Sequence, residues 1–226
     1  MSERVTSAPI ALLTPMANPT VEREMRQLLP PQCDYLVGRL VGTEADSVAR
    51  LKEYAERLES YLAQFGGLEL SAIAFACTAS SYLIGTEREA EIAARLSIPV
   101  LWASASIREE LHARGAKRIA VISPYPSAIH VVGLDHWERA GFEIVFETRL
   151  DIGSADTRAI YDLTGAEAVE PIAQAKACNP DVVLLSGTGM PTLAALELDG
   201  APPVISSNYC LGKAIVRLSD KSAPTG

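Results

Sequence analysis

The chain says nearly the same thing twice, and that repeat constrains the fold more than any single motif. Ala11-Leu12-Leu13-Thr14-Pro15 returns as Ala120-Val121-Ile122-Ser123-Pro124, and Arg39-Leu40 with the following Ala45-Asp46-Ser47 returns as Arg149-Leu150 with Ala155-Asp156-Thr157. The apolar run Ala72-Ile73-Ala74-Phe75-Ala76 before Cys77-Thr78 returns as Val182-Val183-Leu184-Leu185-Ser186 before Gly187-Thr188, and Ile98-Pro99-Val100 returns as Pro202-Pro203-Val204. The offsets of 109, 110, 110 and 104 residues are too even for chance similarity between buried strands. They mark two copies of one α/β unit. Two such lobes are expected to face each other across a cleft, where one supplies the thiol of Cys77 and the other, at the equivalent point, only Gly187.

Short apolar runs alternate with longer amphipathic stretches, the pattern of βαβ units around a parallel sheet. Strands are expected near 9–14, 34–41, 70–76, 98–102, 118–123, 143–147, 181–186 and 202–206. Between Asp46 and Gln64 the apolar residues Val48, Leu51, Ala55, Leu58 and Leu62 recur near a helical period, with charges on the other face and Gly66-Gly67 as a stop. Further helices are expected over Glu87–Leu96, Ile107–Ala113, Gly133–Ala140, Glu167–Ala177 and Leu193–Leu198, several of them ended by Gly115, Gly141 or Gly200. The predicted fold class is therefore α/β, with two pseudo-symmetric lobes, each a small parallel sheet flanked by helices. The first lobe spans 1–104 and the second 105–207; a helix over 209–219, starting near Tyr209, is free to return to the first, and 220–226 is a loose tail.

Ligands of open parallel sheets bind beyond the carboxyl ends of the strands. The segments there, Thr14–Thr20, Cys77–Ser81, Ser123–Ser127, Ser186–Thr192 and Ser206–Asn208, are rich in small hydroxyl residues. A net charge of -8 without any Lys/Arg cluster excludes a nucleic-acid footprint. No apolar stretch approaches the ~20 residues of a membrane span, and the first nine residues lack the basic start and apolar core of a signal peptide, so a cytoplasmic protein is expected. Cys33, Cys77, Cys178 and Cys210 form no CxxC and adjoin no His pair, so neither a metal site nor a thioredoxin-like motif is expected. Any reactive cysteine here works as a single thiol.

Cys77 ends a buried strand, and Thr78, Ala79, Ser80 and Ser81 are small residues suited to opening a helix. A thiol there meets the positive end of the helix dipole and free backbone N–H groups, which lower its pKa and bind a carboxylate or an enediolate. The plainer alternative is a small buried residue that packs. In the second copy, Ser186-Gly187-Thr188-Gly189 lacks the lysine and the spacing of a phosphate loop. Backbone donors at Thr188 and Gly189 suit a carboxylate better, mirroring Thr78 and Ala79. Tyr125, in a Ser-Pro-Tyr-Pro turn, either donates to an oxyanion or caps the core edge, and Asn18 either binds a carboxylate or caps the helix starting at Val21. His112, His130 and His136 read as surface or packing residues, Cys210 as a second and weaker thiol candidate, and Arg39 and Arg149 as an interlobe salt bridge or carboxylate ligands.

Asn18-Pro19-Thr20-Val21-Glu22, Ala76-Cys77-Thr78, Ser123-Pro124-Tyr125 and Pro203-Val204-Ile205-Ser206-Ser207-Asn208, in this order, resemble the aspartate/glutamate racemase superfamily. The resemblance covers nearly the whole chain and is nearer to the branch of maleate cis-trans isomerase and arylmalonate decarboxylase. It implies a two-lobed fold with no cofactor and no metal, in which racemases and maleate isomerases use one cysteine from each lobe. With Gly187 in the second position, two-base racemisation lacks a partner. Arylmalonate decarboxylase is the one-cysteine case, with its thiol usually in the second lobe; this chain looks like the mirror arrangement. The expected function is thus cofactor-independent decarboxylation of a substituted, (aryl)malonate-type dicarboxylate. Cys77 is the proton donor, and Tyr125, Thr78 and Thr188 form the oxyanion site, supported by Ser80 or Ser81. Asn18, Ala79, Gly187, Gly189 and Asn208 complete the substrate-binding set. The alternatives are a maleate-type isomerase with Cys77 as nucleophile, which Asn18 favours, and a non-catalytic carboxylate-binding protein. A small dicarboxylate is the expected partner, and a homo-oligomer stays open.

Overall fold

The computed structural model describes residues 8–196 and 200–222. The chain runs β1 (Ile10–Pro15), α1 (Thr20–Leu28), β2 (Tyr35–Leu40), α2 (Ser47–Glu56), α3 (Leu58–Tyr61), β3 (Ala72–Phe75), α4 (Thr78–Ala93), β4 (Val100–Trp102) and α5 (Ala103–Ala113). It continues with β5 (Arg118–Ser123), α6 (Ser127–Arg139), β6 (Glu143–Arg149), α7 (Val169–Ala177), β7 (Val182–Leu185), α8 (Leu193–Leu196), β8 (Val204–Ser206) and α9 (Ser207–Ser222). The strands form two parallel four-stranded sheets in the orders β2-β1-β3-β4 and β6-β5-β7-β8, the second being the first moved on by four strands. Even the register repeats: Thr14 sits beside Arg39 in one sheet and Ser123 beside Arg149 in the other.

Central strands are covered on both faces, which is why they read as unbroken apolar runs and not as alternating ones. Every residue of β1 is buried, and the strand's period of two divides it between two cores. Ala11 and Leu13 face a cluster that reaches Val121, Val183 and Ile205 of the second sheet, while Ile10 and Leu12 face Val21, Met25, Leu211 and Ile215. The last four come from α1 and α9, so the C-terminal helix packs on a helix of the first sheet.

Helix starts depart most from the sequence expectation. α4 is two helices joined at Gly85 (φ 79, ψ 163): the one after the kink is the helix expected from Glu87, and a further one opens at Thr78, whose first five residues, Thr78 to Tyr82, are all buried and show no amphipathic stripe. α5 and α6 likewise begin earlier, at Ala103 and Ser127. The helix expected over 46–64 stops at Glu56, turns at Arg57, and resumes as α3 and a 3-10 turn, Leu62–Phe65, closed by a left-handed Gly66. α9 starts at Ser207 and continues through Ser222 instead of loosening at Asp220. The expected extension of α8 to Leu198 and the tail 223–226 lie outside the described residues.

Candidate active site

Cys77 is the N-cap of α4 with extended dihedrals, φ -146 and ψ 91, and is 3% exposed. It lines a cavity of about 40 Å³ together with Asn18, Ala79, Tyr125, Thr188 and Gly189, and with Arg50, Tyr54 and Tyr161. Ser80 Oγ donates to Cys77 Sγ at 3.1 Å. A pKa lowered by the helix terminus is the expectation here, and the balance runs the other way. Burial pushes the thiol up from its ordinary value, and the Ser80 hydroxyl with the Ser80 and Ala79 amides offsets only part of that. The magnitudes explain why. A helix terminus contributes about 0.3–1 kcal/mol, less than one pH unit, whereas full burial of an ionisable group shifts it by up to several units. The resting group is a neutral thiol.

Tyr125 is 5% exposed, and burial, the Tyr82 phenol and the Cys77 thiol hold its hydroxyl in the protonated, donating form. The buried Thr78 hydroxyl lies against the Tyr125 hydroxyl, and the buried Ser81 hydroxyl against the Glu89 carboxyl. Thr188 is differently employed: its hydroxyl donates to the Ala76 carbonyl at 3.0 Å, so the residue after the glycine is tied to the residue before the thiol. That bond uses the proton Thr188 would offer an oxyanion. The carbonyls of Thr188 and Gly189 are in turn held by Asn18 Nδ2 (3.4 Å), Asn208 Nδ2 (3.1 Å) and Thr20 Oγ1 (2.7 Å). Asn18 caps α1 as well, its Oδ1 accepting from the Thr20 and Val21 amides.

Thr78, Ser80, Ser81, Gly187 and Asn208 do not line the cavity. Gly187 donates its N–H to Ser207 Oγ at 2.9 Å and holds φ +144, a conformation L side chains rarely adopt. A Cβ there would stand 3.1 Å from Pro124 and 3.4 Å from Tyr125 Oη. The two equivalent turns therefore differ in backbone as well as in chemistry. Among the described residues no group of three or more His, Cys, Asp and Glu is placed to hold a metal ion, and no helix is long and apolar enough to cross a membrane.

Residues 10–225 match the family model described as arylmalonate decarboxylase. The chain belongs to the arylmalonate decarboxylase family. A curated relative, the maleate isomerase of Pseudomonas putida, is 22% identical over 93% of this chain and 91% of its own length. In fold, this family member is similar to the solved Nocardia farcinica maleate cis-trans isomerase, a cysteine-to-serine mutant with a covalently bound succinylcysteine intermediate (TM-score 0.78, 21% identity, 94% and 93% of the two chains). It is similar also to a liganded arylmalonate decarboxylase carrying a glycine-to-cysteine and a later cysteine-to-serine exchange (TM-score 0.78, 18% identity, 96% and 94%).

Several residues of the site gave no sequence signal. Glu24, 2% exposed on α1, accepts from the Thr192 and Leu193 amides, the Thr192 hydroxyl and Asn208 Nδ2. It thereby fastens the loop after β7 and positions Asn208. Arg50 sits among the charges of α2 that read as solvent-facing, yet it is 9% exposed and pairs with Asp156 of the second repeat at 3.2 Å. A faint signal existed, because Asp46 and Asp156 recur in the repeat and each caps the helix that follows it. Arg39 pairs with Glu22 of its own lobe, so it makes no interlobe bridge. Cys210 is buried on α9 away from the cavity wall, with its thiol pushed up by burial. His130 packs as expected, clamped between Ser123 Oγ (2.8 Å) and Glu147 (2.6 Å). His136 borders a separate cavity of about 520 Å³ between α4, α5 and α6 that contains no thiol.

Proposed function

We propose that this family member is a cofactor-free decarboxylase of a substituted malonate, with Cys77 as proton donor. One observation carries this reading: a buried thiol held in its protonated form lines the cavity, while the equivalent position of the other lobe is a glycine. A neutral thiol is an acid waiting for a carbanion, whereas nucleophilic addition requires the thiolate. One carboxylate of the substrate remains at the first turn of α4, the carbon–carbon bond to the other breaks, and carbon dioxide leaves. The electron pair of that bond passes to the retained carboxylate as an enediolate, which the Tyr125 hydroxyl and nearby N–H groups stabilise. The Cys77 S–H proton moves to carbon, and the thiolate recovers a proton from solvent. The decarboxylase variant that gained an earlier cysteine and lost a later one has the same order of thiol and non-thiol that this chain has naturally.

Asn18 on the cavity wall favours a second reading, a maleate-type isomerase in which the Cys77 thiolate adds to the alkene, the bond rotates, and the thiol leaves. A screen of malonates and maleate in deuterated water, followed by NMR, separates the two. Decarboxylation places one solvent deuterium on the product carbon, and addition and elimination of a thiol need place none. Turnover of maleate without turnover of any malonate overturns the decarboxylase. A small dicarboxylate is the ligand under either reading, and the reaction draws its acid and its oxyanion donors from protein groups.

A further inference from the structure

The cavity beside Cys77, at about 40 Å³, holds little more than one water. No dicarboxylate fits there, whatever its substituent, so the site is closed and substrate enters only after part of the wall moves. An outer cavity of about 250 Å³ shares Pro15, Arg50, Tyr54, Arg158 and Tyr161 with the inner one, and these side chains form the partition between them.

The bonds that hold each wall decide which part moves. The lobes are pinned along their seam by buried bonds: Thr188 Oγ1 to the Ala76 carbonyl (3.0 Å), Thr20 Oγ1 to the Gly189 carbonyl (2.7 Å), and Thr192 Oγ1 (3.0 Å) with the Leu193 amide (3.1 Å) to Glu24. Parting the lobes breaks all of these together. The connection between β6 and α7 is held far more loosely. Its segment 154–164, which contains a 3-10 turn, Thr157–Asp162, supplies Thr157, Arg158, Ile160 and Tyr161 to the inner wall. Ile160 is its one buried residue. Left-handed glycines bracket the segment, Gly153 at φ +64 and Gly165 at φ +95, and glycine accommodates the dihedral changes of a hinge.

Among the described residues, one hydrogen bond ties this segment to a distant element, from Arg50 to Asp156 at 3.2 Å. Its other bonds stay within it or reach no further than Glu167: the Asp156 amide to Ser154 Oγ, Arg158 Nε to Asp156, and Thr164 Oγ1 to Glu167. Arg50 is a fixed post, because its guanidinium also donates to the carbonyls of Glu44 (3.3 Å) and Ala45 (3.0 Å) and to Ser47 Oγ (3.1 Å). The post stands in the first lobe and its catch in the second.

We propose that residues 154–164 form a lid that swings on Gly153 and Gly165, and that the Arg50–Asp156 ion pair is the latch that holds it shut over Cys77. Opening carries Arg158 and Tyr161 out of the partition and joins the two cavities, so substrate reaches the thiol through the outer one. The lid gates the thiol under either reading of the reaction, and rests only on substrate meeting Cys77.

Iodoacetamide alkylation of the full chain tests it, followed by mass spectrometry at Cys77 and at Cys210. Cys210 is buried away from the cavity and reports opening of the whole fold. Because local opening costs less than global unfolding, Cys77 should react at least about tenfold faster than Cys210. Asp156→Asn keeps the acceptor for the Arg158 amide and removes the charge that Arg50 holds. It should raise the Cys77 rate by about 3- to 30-fold, as loss of a charge-assisted bond at a partly exposed side chain does, and leave Cys210 unchanged. Amide hydrogen exchange should quicken over 154–164 in the same variant and not in β5 or β7. Equal rates at the two cysteines, or a folded Asp156→Asn that leaves Cys77 and the exchange unchanged, overturns the proposal. Should Asp156→Asn fail to fold, the natural chain in sub-denaturing urea decides. A Cys77 rate that climbs as steeply with urea as that of Cys210 means global unfolding and no lid; a nearly flat one means local opening. Alkylation reads access without turnover, so gating of Cys77 in a protein that decarboxylates no malonate keeps the lid and retires the decarboxylase.

Discussion

The turn at Cys77 and the turn at Gly187 occupy equivalent places in two sheets of the same order, and they have diverged into different devices. The first is a helix cap with ordinary extended dihedrals whose side chain is a protonated thiol. The second, with φ +144, has a backbone that excludes most side chains, and its neighbours spend their hydrogen bonds on structure. Ser186 pairs with the Tyr82 hydroxyl at 2.7 Å, and Thr188 donates to the Ala76 carbonyl at 3.0 Å. Duplication supplies two equivalent turns; the proposed function uses the first, while hydrogen bonds at the second reach Tyr82 and Ala76 of the other lobe.

The largest test of that division is removal of the thiol. Cys77→Ala should lower kcat by roughly 10² to 10⁴, the usual contribution of a positioned general acid, with an unchanged circular dichroism spectrum. Cys210→Ala should leave kcat near its starting value; the reverse result assigns the wrong cysteine. Burial also sets the sign of the pH dependence. The donor form is lost only as pH rises through a thiol pKa raised above the ordinary 9.0, so kcat should hold through pH 9.0 and decline beyond it. A decline centred two units lower would mean that the thiolate is the resting form.

Tyr125→Phe removes a donor and keeps the ring, and should cost roughly 10² to 10³ in kcat, as loss of an oxyanion-site donor does. Comparing Tyr125→Phe with Thr188→Val sharpens the contrast between the lobes. Because the Thr188 hydroxyl is committed to Ala76, its loss should appear mainly as a lower melting temperature.

A third effect is pH-dependent stability. His136, buried against Tyr82 and Trp137 with Nε2 unpartnered, has its pKa lowered to about 4 by burial. The unfolded chain therefore binds this proton first as pH falls from 6.5, and the folded state loses on the order of 3 kcal/mol between 6.5 and 4. Denaturant melts of His136→Phe should show a flatter stability profile over that interval. The smallest expected effect is that of Gly187→Ala, about 1–3 kcal/mol of destabilisation from the strained backbone and the Pro124 contact. A cysteine placed there meets the same strain. Unchanged stability of Gly187→Ala would show that the second turn can host a side chain after all.

Sequence alone determined the two-copy architecture. Apolar runs and their offsets encode which segments are buried on both faces, and that is a local property of the chain. The repetition of one unit, the places of the strand ends and the position of Cys77 at a helix start were legible from the run at Ala72–Ala76 and its echo at Val182–Ser186, whereas the order of the strands within each sheet was not. How far that first helical stretch runs, from Thr78 to the kink at Gly85, was not legible either, because hydroxyl residues buried on all sides leave no periodic stripe. Tertiary structure decided which polar groups meet. Arg50 reads as one more surface charge until Asp156 of the other lobe arrives, and Glu24 as a solvent-facing acid until Thr192, Leu193 and Asn208 converge on it. The protonation of Cys77 was decided at the same level: the helix terminus that favours a thiolate is visible in sequence, whereas the closing lobe that withholds water from it is a long-range consequence of docking.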